Sequence, residues 1–96
     1  MDAELLIKER LSQGENSFTE LALWRLPTPV VGSVHVFKYR LAFVVDGVCV
    51  LRYDNEAGKG DHKHEGEVET AYAFESPRRL LADFNRDVEL WRAHHE

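Results

Sequence analysis

Thirteen residues from Arg52 to His64, R-Y-D-N-E-A-G-K-G-D-H-K-H, hold most of the side chains in this chain that could do chemistry together. The segment carries nothing aliphatic except Ala57, so it adds little to a core; polar loops on rigid scaffolds are where binding and catalytic groups concentrate. His62 and His64 stand one residue apart, which in an extended backbone sends both rings to the same side. Imidazoles that titrate near neutrality can remove and return protons, and a lysine or arginine beside them can offset charge developing on a phosphate. His62, His64, Lys59 and Asp61 are therefore the expected catalytic groups. Arg52, Tyr53 and Asn55 are expected to bind substrate, the reaction being phosphodiester cleavage with no metal or other cofactor. Gly58 and Gly60 let the loop approach a ligand closely. Two other readings stay open. His-x-His with a neighbouring Asp supplies metal-type ligands, although no third ligand is fixed by spacing. Asp54, Asn55 and the glycines also suit a purely structural turn.

The rest of the chain limits what surrounds that segment. Ninety-six residues, 44% hydrophobic and 30% charged, make one domain, 1–96, of ordinary globular composition. The net charge of −5 argues against a protein that coats nucleic acid. No acid falls between Leu21 and Val45, however, while Arg25, His35, Lys38 and Arg40 do. Sharing a sheet face, they would form a basic surface on an acidic body, and Lys38 and Arg40 are added to the substrate-binding set. His35 is expected to be a half-buried partner within a strand. The lone Cys49 sits in V-C-V-L and reads as a buried thiol. No apolar run is long enough to span a membrane, and the acidic start lacks a signal peptide's basic region, so a cytoplasmic location without membrane contact is expected.

Local patterns predict the scaffold. Ala3 to Leu11 alternates as a strand, Q-G-E-N-S at 13–17 is a turn, and Phe18 to Leu26 returns as its partner. Pro27-Thr-Pro29 ends that strand. Val34 to Val45 and Val48 to Asp54 flank Asp46-Gly47, a strong two-residue hairpin signal. After the loop, Glu67 to Phe74 makes a fifth strand. Ser76 is a good N-cap and Pro77 suits the first helical position, and Leu80, Leu81, Phe84, Val88 and Trp91 form a helical stripe. Phe37, Tyr39 and Phe43 should pack beneath that helix, Trp24 and Trp91 should be core residues, and His94 and His95 a solvated, frayed tail. The fold class is α+β: an antiparallel sheet of about five strands against one long C-terminal helix.

Two stretches carry a family likeness. F-K-Y-R-L-A-F-V-V-D-G-V-C-V-L-R-Y-D-N-E-A-G-K-G-D-H-K-H, from Phe37 to His64, resembles the TumE-like toxins of bacterial and archaeal toxin–antitoxin modules, as does A-Y-A-F-E-S-P-R-R-L-L-A-D-F-N-R-D-V from Ala71. The match is loose across the first strand. The resemblance implies an intracellular toxin neutralised by a cognate antitoxin that carries a DNA-binding domain. Its hallmark loop corresponds to Tyr53, Asp54, Asn55, Glu56, Gly58, Lys59, Gly60, Asp61, His62 and His64. Combined with the residue chemistry, it leads to a toxin that cleaves RNA. A non-catalytic toxin acting by occupancy and a metal-dependent phosphodiesterase are the alternatives, and an open sheet edge leaves room for a homodimer.

Overall fold

The computed structural model describes residues 2–56 and 58–95. Six antiparallel strands follow one another in chain order, each paired with the next: β1 (Glu4–Gly14), β2 (Ser17–Arg25), β3 (Phe37–Val45), β4 (Val48–Asp54), β5 (His62–Glu65) and β6 (Val68–Ala71). The helix α1 (Pro77–His95) then packs across one face. The α+β class is as expected.

Three two-residue turns set the sheet. Asp46 and Gly47 both take positive φ, 50° and 79°, the twist that a tight hairpin needs, and Val45 pairs with Val48 across them. Asn16 (φ 61°) does similar work between β1 and β2. The turn at Gly66 (φ 62°) is the source of the sixth strand: it folds Val68 back onto Glu65, so residues expected to lie in an open loop become β5 and the loop shrinks to 55–61. The expected fifth strand ends at Ala71 rather than Phe74.

One face is dry. Leu23, Tyr39, Leu41, Phe43, Leu51 and Tyr53 point from β2–β4 toward Leu80, Phe84 and Val88 of α1. Each such side chain is worth about 1.5–3 kcal/mol when fully removed from water. Phe84 meets Tyr53 edge-on at 5.7 Å, and Trp91 meets Phe43 at 5.4 Å, so Phe43, Tyr39 and Trp91 fulfil their expected core roles. Ser76 caps the helix, its Oγ accepting from the Arg79 N–H at 3.1 Å. Arg92, His94 and His95 close the last turn, where cations suit the helix dipole. His95 stacks on Trp91 at 3.8 Å, so the two terminal histidines are exposed but helical rather than frayed.

Several expectations fail for identifiable reasons. Strand β3 begins at Phe37, not Val34, because residues 30–36 are drawn into a loop against residues 58–61. His35 therefore lies outside any strand, although it is half-buried and partnered. Cys49 is exposed, because a bulge at Val50 shifts the β3–β4 register and turns it to the helix-free face. Trp24 pairs with Lys38 and lies on that same face, outside the core. Among the described residues, no helix is long and apolar enough to cross a membrane.

Candidate functional site

Directly opposed residues of an antiparallel sheet share a face. The register therefore draws two rows across the side away from α1. One runs Lys8, Ala22, Arg40, Asp54, His62, Ala71; the next runs Arg10, Glu20, Ala42, Arg52, His64, Glu69. With Lys38, these rows place five fixed cations against three carboxylates, on a chain whose total charge is −5. Small residues at 22, 42 and 71 leave space between the longer side chains. Lys38 and Arg40 thus join the basic face; Arg25 is instead tied to Glu4 at 2.7 Å and has the parity of the opposite face.

At the β4–β5 end four side chains converge. His62 is 4% exposed, and its Nδ1 lies 2.9 Å from the Gly60 carbonyl, which can only accept, so Nδ1 carries a proton. Its Nε2 comes within 2.6 Å of Asp54 Oδ1. That approach of a ring nitrogen to a carboxylate oxygen needs something positive between them, a shared proton or a cation. Arg52 Nε sits 3.0 Å from Asp54 Oδ2, and its terminal nitrogen lies 3.0 Å from His64 Nε2. Because a guanidinium only donates, His64 Nε2 is the acceptor there, its lone pair engaged by Arg52. The two imidazoles stand edge to face at 5.0 Å. Asp54 Oδ1 and Arg52 Nε are buried without an aligned hydrogen bond, so these ion pairs are close but geometrically unsaturated. Donor atoms of Asp54, His62 and His64 all fall within 4.8 Å of one another, as a metal ion would require.

The other residues expected at the site separate into rim and scaffold. Lys59 is exposed at the rim, 3.6 Å from Glu69, which itself lies 3.7 Å from His64. Asp61 points away. Its carboxylate accepts from Ser33 and Tyr39, each at 2.7 Å, and meets His35 Nε2 at 2.6 Å, pinning two loops together. Asn55 is fully buried; its amide joins Tyr39 N–H, Phe37 C=O and Ser33 Oγ. Tyr53 lies under the helix and donates to Asp87. Burial, then the bond to Asp87, push its phenol far above its ordinary range; burial, then the bond to Asp61, do the same for Tyr39. Neither is an acid or base near neutrality. Burial depresses Lys63, but its bond to Asp87 and the nearby Glu65 outweigh this and leave it raised and charged. Tyr53, Asn55 and Asp61 therefore support the site without entering it.

Asp54 and Glu69 were not among the expected site residues. Parity gives a partial signal for Asp54, since Arg52 and Asp54 alternate onto one strand face, but its meeting with His62 depends on the Gly66 turn.

A family model described as Toxin TumE matches residues 2–92 of the chain. No curated protein and no solved structure matches it.

Proposed function

We propose that this chain, which belongs to the Toxin TumE family and so is the toxin of a toxin–antitoxin module with a cognate antitoxin, acts in the cytoplasm and arrests growth by cleaving RNA on its helix-free sheet face. The observation that carries this reading is the junction of Arg52 with both Asp54 and His64, beside His62. As the Arg52 guanidinium turns from His64 to the phosphate, the lone pair it releases on His64 Nε2 takes the proton of a ribose 2′-OH while that oxygen bonds to phosphorus. The P–O5′ bond breaks, and the departing O5′ takes a proton supplied from the His62–Asp54 pair. Arg52 neutralises charge on the non-bridging oxygens, with Arg40, Lys38 and Lys59 holding flanking phosphates.

A second reading has its own observation: the three donors of Asp54, His62 and His64 within 4.8 Å, one of them a buried oxygen lacking an aligned hydrogen bond. Those residues would hold a divalent cation, which supplies an activated water when bound. The antitoxin is read as a DNA-binding protein whose extended segment pairs with the open edge of β1 or β6, edges that a homodimer would also use.

Purified protein at substoichiometric amounts, incubated with end-labelled RNA in excess chelator, tests the proposal. Cleavage that persists in chelator and is lost in His64→Ala supports acid–base chemistry, and cleavage restored only by added metal transfers the site to the second reading. Wild-type protein that leaves RNA intact under both conditions removes the nuclease.

A further inference from the structure

Trp24 was expected in the core and is instead half-buried on the helix-free face, paired across the strands with Leu5 and Lys38. The Lys38 ammonium lies 5.4 Å from its ring centroid. Beside the ring is a groove of about 520 Å³ whose lining includes Ala22, Trp24, the cations Lys8, Arg10 and Arg40, and the carboxylates Glu9, Glu20 and Glu56. Alanine at position 22 leaves this space open. Among the described residues, Lys8, Lys38 and Arg40 make no ion pair, whereas Glu20 is held by Arg10 at 3.9 Å. Aromatic surface and unpaired cations thus occur together on the face that carries the histidines.

The position of the groove adds direction. Trp24 is on β2, Lys38 and Arg40 on β3, Arg52 on β4 and His64 on β5. Three strand spacings across the sheet, about 14 Å, and four residues along the strands, about 13 Å, put the ring about 19 Å from His64. Cations occupy the strands between, where the phosphates of a strand laid across the sheet would run.

We infer that Trp24 is a stacking platform for a base of single-stranded RNA, with Lys8, Lys38 and Arg40 gripping the phosphates that lead from it to the histidine centre. This rests on the RNA-cleavage reading and names a binding subsite for it. A ring in a shallow groove reads the flat face of an unpaired base, a surface that a duplex keeps stacked; RNA is accordingly bound unpaired. An indole with an ammonium over its ring also suits a phosphate–base repeat better than an apolar peptide, because each nucleotide presents a π face and a negative charge together.

The test uses labelled single-stranded RNA, the same sequence as a duplex, and the cleavage-deficient His64→Ala background. Fluorescence anisotropy should show single-stranded RNA bound more tightly than duplex. Trp24→Leu should weaken it about 5- to 150-fold, with Trp24→Phe retaining most of the affinity. Lys38→Gln, which spares the ring, should reduce the slope of log affinity against log salt by about 1. Circular dichroism melts confirm that each variant is folded. Should Trp24→Leu be unstable, Lys38→Gln and the quenching of indole fluorescence by bound RNA decide the matter. Cleavage by wild type together with unchanged affinity in Trp24→Leu and an unchanged salt slope in Lys38→Gln overturns the subsite and leaves the nuclease standing. Absence of any RNA binding or cleavage by wild type overturns the nuclease itself.

Discussion

Asn55→Ala separates a scaffold residue from a substrate-binding one. Asn55 sits in the loop that resembles the family hallmark, yet it is fully buried, and its amide bonds Tyr39 N–H at 3.0 Å, Phe37 C=O at 2.7 Å and Ser33 Oγ at 3.2 Å. Alanine leaves two backbone groups of β3 without partners, each costing about 1–3 kcal/mol when buried. The Ser33 hydroxyl still donates to Asp61 and loses less. A loss of about 3 kcal/mol is expected, from a total stability of about 5–15 kcal/mol for a domain of this kind. At about 4–8 °C per kcal/mol, the melting temperature should fall by about 12–24 °C. Thermal and urea unfolding followed by circular dichroism measure this directly. Since the same loop carries Gly60, whose carbonyl bonds His62 Nδ1, activity should fall with stability and return on cooling. An Asn55→Ala protein that melts like wild type but has lost activity would refute the reasoning, because it would place the amide against substrate.

Other outcomes follow from the same contacts. Gly32→Ala would push a Cβ to 2.6 Å from Gly60 N at a φ of +92°, whereas a Cβ at Gly47 meets nothing within 4 Å. Urea midpoints should therefore fall much further for Gly32→Ala than for Gly47→Ala, where only left-handed strain of about 1–2 kcal/mol applies. Ser76→Ala removes the cap on α1 and should cost about 1 kcal/mol in the same assay. The Tyr39 phenol is raised above its ordinary value by burial and by Asp61, so its contribution is complete below pH 10 and is lost as pH rises further. Each raised phenol, Tyr53 and Tyr72 as well as Tyr39, should cost wild-type stability about 1.4 kcal/mol per pH unit above pH 10, and Tyr39→Phe should remove its own share of that slope.

What could be read in the chain was local. Asp46-Gly47 and Ser76-Pro77 act through their own backbone, and the stripe from Leu80 to Trp91 needs only the helical period. His62–Glu65 could not be read as a strand. H-K-H-E has none of the strand formers Val, Ile, Thr, Tyr, Phe or Trp, and its extended form comes from pairing with Leu51–Asp54. Cys49 misled because a bulge one residue later reverses its face. Trp24 falls outside the core because Thr19, Leu21 and Leu23 occupy the opposite, inward parity of its strand. Within the candidate site, His62, His64 and Arg52 were legible from residue type and spacing. Their link through Asp54 was not, since it joins residues on separate strands.

Identification of the ends left on cleaved RNA, in the presence of chelator, bears most directly on the histidine–arginine centre. Proton transfer at a 2′-OH predicts 2′,3′-cyclic phosphate and 5′-hydroxyl ends, inertness toward DNA of the same sequence, and a fall of about 10²–10⁴ in rate for His64→Ala. Ends bearing a 5′-phosphate, or a His64→Ala protein as fast as wild type, would contradict it.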